Sequence, residues 1–413
     1  MKVTETMIKK RKLKDRVLQT VTLISSSISV LILIMLFFFI FQKGAGSLSF
    51  KLLTDDYWAK NYLLDIPAEQ TGTYVKPANL PADSFWSVKY GFAVTDTLSH
   101  EKQKLILIEY IDPASPLNKM TDASSGPNFG KAQAISVGMQ VQKIGYVDIN
   151  GDTRSAGTIA DQNAKTLVDT LDSSALTLNQ AYIKTTGGGI RGSIISTFYL
   201  ILISLLLAVP IGIMTAIYLN EYAKYNRFTP WLRSSIEMLT GVPSIIYGLM
   251  GMVVLYPVTA LFKASGTSIL LGGLTLSVIL LPTVIRSTEE ALKVVPDNFR
   301  DASLSLGANQ AQTIFRIVLP SAIPGILSAI LLSLGRIIGE SAALIYTMGT
   351  FVNDSPTVLT GGTSLAVHIW SLMSGEQPNF ALASAISIII LIIVLVLNIS
   401  VKLLSGRLRK TWQ

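Results

Sequence analysis

No cysteine occurs among the 413 residues, so disulfide frameworks and thiolate metal sites are both excluded. Histidine is nearly absent. Only His100 and His368 occur, far apart in sequence, and they offer no imidazole cluster for a metal. No G-x-x-x-x-G-K-[ST] loop is present. The nearest approach, Gly126-Pro-Asn-Phe-Gly-Lys-Ala, is one residue short and has no hydroxyl after the lysine. The chain carries no nucleotide-hydrolysis motif, and neither an enzymatic role nor a cofactor is expected. Charged residues make up only 15 % of the chain, against 50 % hydrophobic, and the mean hydropathy is +0.49. That balance points to an integral membrane protein.

The apolar residues gather into runs of the length that crosses a ~30 Å hydrocarbon core, about 20 residues each. Six spans are expected, near Val17–Phe41, Ser193–Leu219, Ser234–Ala260, Ser268–Ile285, Ile323–Met348 and Ala381–Val401. The first run is too long for a secretory leader, whose apolar core is about 7–15 residues, and no small-x-small cleavage site follows it.

The net charge of +8 is unevenly placed. Residues 44–185 hold 12 basic and 15 acidic side chains, which leaves +11 for the remainder. Seven basic residues precede the first run, at Lys2, Lys9, Lys10, Arg11, Lys12, Lys14 and Arg16. Others border later runs: Lys224, Arg227 and Arg233, then Arg286, Lys293, Arg300 and Arg316, then Lys402, Arg407, Arg409 and Lys410. The stretch Thr350–Phe380 has none. This asymmetry places both termini in the cytoplasm and residues 44–185 outside, and it reads as topology, not as a nucleic-acid footprint.

A polar loop, Thr288–Pro320, interrupts the apolar half and is expected to lie in the cytoplasm. Pro296, with Asp297 or Asn298 as cap, starts a helix, and Gly307 permits a sharp turn. Its Asp301-Ala302-Ser303, three residues, Gly307, nine residues, then Ile317-Val318-Leu319-Pro320 resembles the EAA loop of ATP-binding-cassette importer permeases. Asp301 and Ser303 depart mildly from that pattern. The resemblance implies a coupling helix that docks on an ATPase subunit, with Asp301, Ala302, Ser303, Gly307, Ile317, Leu319 and Pro320 as its coupling residues.

Further motifs resemble the phosphate importers of that family: Thr186-Gly-Gly-Gly-Ile-Arg-Gly-Ser, Ser196-Thr-Phe-Tyr-Leu, Val209-Pro-Ile-Gly-Ile and Tyr218-Leu-Asn-Glu-Tyr-Ala. So do Glu237-Met-Leu-Thr-Gly-Val-Pro-Ser-Ile-Ile-Tyr-Gly, Thr288-Glu-Glu-Ala-Leu and Gly335-Arg-Ile-Ile-Gly-Glu-Ser. Together they resemble the PstA-type permease. That resemblance implies an all-α polytopic membrane fold of the type I importer class, carrying phosphate across the bacterial inner membrane. It also implies a PstC-type second permease, a PstB-type ATPase dimer and a PstS-type phosphate-binding protein as partners. The PstC-type sister subunit, or a permease for another oxyanion, shares most of these motifs. A non-transporting receptor or scaffold is the reading from another class.

Arg336 and Glu340 are charges within the fifth run. Arg336 stands thirteen residues beyond Ile323, about 20 Å at ~1.5 Å per residue and so past the midplane. Four residues apart on one helix, the two would share a face. Such charges cost roughly 2.5–3.5 kcal/mol at the membrane centre and usually face an interior or a water-filled path. A guanidinium fork suits phosphate oxygens, so Arg336 and Glu340 are the expected path residues. The resemblance implies the same role. Glu221, Glu237, Glu289 and Glu290 fall at span ends and are expected to be solvated or interfacial.

The expected organisation is a basic tail at 1–16, a first span at 17–43, an external insertion at 44–185, a permease core at 186–405 containing the 288–320 loop, and a tail at 406–413. Within the insertion, Lys104–Ile111, Gly138–Ile149 and Ala175–Lys184 read as strands. Ala160–Ser173 reads as a helix with Ala164, Leu167, Val168 and Leu171 on one face. This α+β order resembles a PDZ domain across about 85–184. In it Tyr90, Gly91, Phe92 and Ala93 would form a carboxylate-binding loop, and a peptide would add as a strand beside Phe92–Val94.

Overall fold

The computed structural model describes residues 2–67, 72–98, 104–185, 187–223, 226–264, 266–375 and 378–411. His100, Thr186 and Lys224 lie outside the described residues. The chain forms two compact units, one of Met1–Asp55 with Ile190–Gln413, the other of Asp56–Gly189.

The first unit opens with α1 (Lys2–Gly44), whose uncharged run from Val17 to Phe41 has nothing to break it, followed by the short α2 (Phe50–Thr54). The second unit is an antiparallel sheet with one helix. Its strands are β1 (Asn61–Asp65), β2 (Ser84–Ser87), β3 (Phe92–Leu98), β4 (Lys104–Ile111), β5 (Thr121–Asp122), β6 (Gln140–Asp148), β7 (Thr153–Ala156) and β8 (Ala175–Lys184). Their order is β2-β3-β4-β6-β8-β1-β5, with β7 beside β6. The helix α3 (Ala164–Ser174) starts at Asn163, whose side chain accepts the Thr166 N–H, and it buries Ala164, Leu167, Val168 and Leu171. The spacing read from the sequence is therefore the face that packs. The turn between β6 and β7 carries Gly151 at φ +83°.

Both edges of β3 are occupied. One pairs with β4; on the other, Phe92–Thr95 pair with Ser84–Ser87 of β2. The expected peptide site beside Phe92–Val94 is thus filled by the chain's own strand. Tyr90, Gly91, Phe92 and Ala93 are all buried. The amides of the turn before β3 are used internally: Tyr90 N–H donates to Ser87 Oγ, Gly91 N–H to Ser87 O and Val88 N–H to the Asp172 carboxylate. No carboxylate-binding loop exists there. Burial, with the Asp172 charge adding to it, pushes the Tyr90 phenol up to about 12, so it stays protonated and donates to Ala175 O. Asp172→Ala removes the α3 clamp on β2. It should cost about 1–3 kcal/mol locally, read as faster hydrogen exchange at the Val88 and Tyr90 amides with global folding retained.

The first unit resumes with α4 (Arg191–Ile217), ending in a wider turn at Tyr218–Tyr222. Next come α5 (Phe228–Thr240), α6 (Ser244–Met250), α7 (Tyr256–Ala260), α8 (Ile269–Lys293), α9 (Asp297–Ser305) and α10 (Gln310–Thr313). The chain closes with α11 (Leu319–Gly339), α12 (Ala342–Thr347), α13 (Leu365–Ser374) and α14 (Phe380–Thr411). Five helices among the described residues are long and apolar enough to cross a membrane, and a sixth if α5 with α6–α7 counts as one. That pair bends through 100°, so the third expected span is not straight. The break falls at Gly241-Val242-Pro243, where Pro243 supplies no N–H and takes an extended ψ of 137°.

Small residues draw the helices together. A Cβ on Gly212 would come within 2.6 Å of Val284, and one on Gly273 within 2.6 Å of Ile203, so α4 and α8 pack at close range. Gly44 likewise lets α1 meet the backbone of Ser384 on α14. The expected external loop Thr350–Phe380 contains α13, tied to α4 through buried Ser193, whose Oγ lies 2.9 Å from His368 Nδ1 and 3.0 Å from Thr363 Oγ1.

Candidate functional site

Two features of the first unit carry chemistry: a helical loop between α8 and α11, and an arginine on α11.

The loop is built as the sequence suggests. Pro296 stops the chain from continuing α8, and α9 follows over Asp297–Ser305. Gly307, at φ +86°, reverses direction. Asn309 then opens α10 with a reciprocal capping box to Gln312, and the chain passes through a widened turn, Ile314–Val318, into α11. Ser303 Oγ and Thr313 Oγ1, 2.9 Å apart, join the two arms. Asp301, Ala302, Gly307 and Ile317 are exposed; Ser303, Leu319 and Pro320 are half-buried. Phe299, Ala302, Leu306, Gly307, Arg316 and Ile317 line one groove. Leu306 is 90 % exposed. Apolar surface of this kind beside a polar rim marks a docking face.

The loop's root is more strongly built than its tip. Arg300 uses all five of its N–H donors. Nη2 and Nε reach Glu221 Oε1 and Oε2 at 2.8 and 3.3 Å. Nη2 also donates to Leu292 O at 3.1 Å, and Nη1 to Val295 O at 2.8 Å and Asp297 Oδ1 at 3.1 Å. The hydrogen bonds to Glu221 hold the Arg300 guanidinium above its already high ordinary pKa. On the other arm, Gln310 Nε2 donates to the Glu221 backbone carbonyl at 2.9 Å. Glu221 therefore holds both sides of the Gly307 turn. Its side chain is only 9 % exposed, and that of Glu289, paired with Arg233 at 2.9 Å, only 11 %. These two carboxylates are not solvated as expected; half-buried arginines, Arg300 on α9 and Arg233 on α5, pair with them. Glu237 and Glu290 are exposed, at 67 and 68 %, and both approach Arg286.

Arg336 lies in the last turn of α11, half-buried, beside a cavity it shares with Thr283, Ser328, Gly335 and Asn398. No hydrogen bond or ion pair ties its guanidinium to any other described residue. Glu340 is not its helical neighbour. The helix ends at Gly339, Glu340 is extended at φ −73°, ψ 127°, and its Oε1 accepts the Ala343 N–H at 3.3 Å, opening α12. The expected continuous fifth span is thus two helices, and the shared helix face of Arg336 and Glu340 does not form. Sequence reading had no signal for the Arg300–Glu221 pair, which joins residues 79 positions apart, nor for the Thr283 and Asn398 walls beside Arg336.

A family model described as binding-protein-dependent transport system inner membrane component matches residues 208–410. The probable ABC transporter permease protein YqgI of Bacillus subtilis (strain 168) is 33 % identical over 267 residues, covering 62 % of this chain and 84 % of that protein. The chain belongs to this family of transport permeases. It is a multi-pass membrane protein and a transport subunit, not an enzyme. The matched stretch holds Glu221, the helical loop, Arg336 and Glu340, and leaves out the Asp56–Gly189 unit. The phosphate transport system permease protein PstA 1 of Mycobacterium tuberculosis (strain CDC 1551 / Oshkosh) is 40 % identical over 164 residues. That alignment covers 39 % of this permease and 52 % of the relative, about half its length. Among solved structures, the inward-facing MetNI methionine ABC transporter matches with a TM-score of 0.42 and 18 % identity, over 53 % of this permease and 94 % of that chain.

Proposed function

We propose that this permease is the PstA-type subunit of an ATP-driven phosphate importer of the type I class, pairing with a PstC-type permease, a PstB-type ATPase dimer and a PstS-type binding protein. The observation that carries this reading is Arg336. A guanidinium without an intramolecular partner costs roughly 2.5–3.5 kcal/mol at membrane depth, a cost that function must offset. Its planar fork fits two phosphate oxygens, and the Thr283 hydroxyl and Asn398 amide in the same cavity add neutral donors. Glu340, four residues on, sets a negative limit on how tightly an anion is held. The similarity to proteins named as phosphate permeases favours phosphate among oxyanions. Competition of labelled phosphate uptake by molybdate and sulfate tests that choice.

The helix α9, with Asp301, Ala302, Ser303 and Gly307, docks on the ATPase, and Ile317, Leu319 and Pro320 lead its motion into α11. Both termini lie in the cytoplasm and the Asp56–Gly189 unit outside, in the bacterial cytoplasmic membrane. That unit is a sheet packed on α3, and its resemblance to a PDZ domain is carried by the sequence alone. With its β3 edge self-paired, it serves as a docking or stiffening module at the outer face. Co-purification with an ATPase and a second permease supports transport over a receptor role; recovery of the chain alone speaks for the receptor.

The absence of cysteine makes the topology simple to test. Single substitutions Ser125→Cys and Ser305→Cys, both at exposed positions, need no cysteine-free background. In intact cells with a permeable outer layer, an impermeant maleimide should label Ser125→Cys and reach Ser305→Cys only after the inner membrane is opened. The reverse pattern contradicts the orientation.

A further inference from the structure

The pairing of Arg300 with Glu221 is the most completely satisfied polar contact on the helical loop, and nothing in the coupling role of α9 alone requires it. Arg300 is 18 % exposed and Glu221 9 %, so the pair is withdrawn from the docking surface that Leu306 and Phe299 present. It binds three segments at one point: the end of α4 through Glu221, the end of α8 through Leu292 and Val295, and the start of α9 through Asp297. Gln310 brings α10 to the same residue. Nearby, Arg233 on α5 donates to Leu219 O, two residues before Glu221. From there α4 packs on α8 through Gly212 against Val284, and the neighbouring Thr283 lines the Arg336 cavity. A continuous set of close contacts thus runs from the loop to the path.

We infer that Glu221 and Arg300 are positioning residues, a joint that makes α9 move as one piece with the ends of α4 and α8 and so transmits ATPase motion to the Arg336 cavity. A bidentate pair with five used donors fixes angle as well as distance, which a lysine or a neutral amide cannot do. Without the joint, α9 still presents its docking face, but its motion is absorbed in the turn at Val294–Pro296. The inference rests on the coupling reading of α9.

The test uses the full complex in proteoliposomes with Glu221→Gln, which keeps shape and loses charge, and Arg300→Lys, which keeps charge and can fill at most three acceptors. Both variants should retain the ATPase subunit at wild-type yield. The stimulation of ATP hydrolysis by phosphate-loaded binding protein, and the phosphate moved per ATP, should each fall about tenfold. A residue that only holds the fold together would lower yield and leave that ratio unchanged. Wild-type stimulation and stoichiometry in both variants overturns the joint. So does loss of the ATPase subunit from Glu221→Gln complexes, since the pair would then be an assembly contact. A photo-crosslinker placed at Ala302 in the otherwise unaltered complex reports docking separately; no adduct with the ATPase subunit sinks the coupling reading itself, and the joint with it.

Discussion

Arg336→Gln should lower phosphate uptake about a hundredfold while the subunit still inserts and assembles. The size follows from removing a charge that pairs with an anion, worth about 2–5 kcal/mol, where each ~1.4 kcal/mol is a factor of ten. Assembly should survive because Arg336 makes no hydrogen bond or ion pair with any other described residue; nothing in the folded chain is left unsatisfied by its loss. Membrane insertion should even become easier, since a charge within an apolar run is gone. Arg336→Lys should fall between the two, as a point charge without the planar fork. Uptake measured with labelled phosphate, beside the yield of the purified complex, separates these outcomes. Wild-type uptake by Arg336→Gln would remove Arg336 from the path.

Leu306→Asp should detach the ATPase subunit. Leu306 is 90 % exposed beside Gly307, so its replacement disturbs no contact within the permease. Any effect must come from the surface that covers it. A leucine at the centre of a docking face contributes about 2 kcal/mol or more when it is a hot spot, and a buried carboxylate in its place adds a desolvation penalty. The expected result is at least a thirtyfold weaker association, on the scale of ~1.4 kcal/mol per tenfold, seen as loss of the ATPase on purification while the permease pair stays together. Retention of the ATPase at wild-type stoichiometry would place its docking face elsewhere.

Local pattern carried much of this architecture. Apolar runs announced the long helices by their length, even where Pro210 and Pro282 sit inside them. Pro296 and Gly307 marked the start of α9 and the reversal after it, since each acts through its own backbone restriction. The short apolar run in Lys104–Ile111 and the spacing of Ala164, Leu167, Val168 and Leu171 likewise gave β4 and α3. What stayed hidden depends on partners distant in sequence. The closing of the β3 edge by Ser84–Ser87 escaped because that strand is four residues long and mixes two serines with Phe85 and Trp86. The break after Gly339 was masked by the apolar run on either side, since a hydropathy pattern does not register one carboxylate turning to cap the next helix. Glu221 read as a solvated span end because its partner, Arg300, sits 79 residues away and appeared only as a topological charge.

The bend at Gly241-Val242-Pro243 has a different lesson. Glycine and proline there permit a break, but the 100° angle is set by what packs around it. Tyr247, whose hydroxyl donates to Leu239 O at 2.7 Å, ties α6 back across it, and Gly248 lets α6 approach Ala343 of α12. Composition can announce a hinge; only tertiary contacts fix its angle.

The most direct test of the whole account is uptake by the purified assembly: this permease, a second permease, an ATPase dimer and a phosphate-binding protein in sealed proteoliposomes. With ATP on one side of the membrane and labelled phosphate with its binding protein on the other, phosphate should accumulate against its gradient. It should not do so without ATP, nor with Arg336→Gln. Accumulation that ignores ATP, or an assembly that hydrolyses ATP and moves no phosphate, would contradict it.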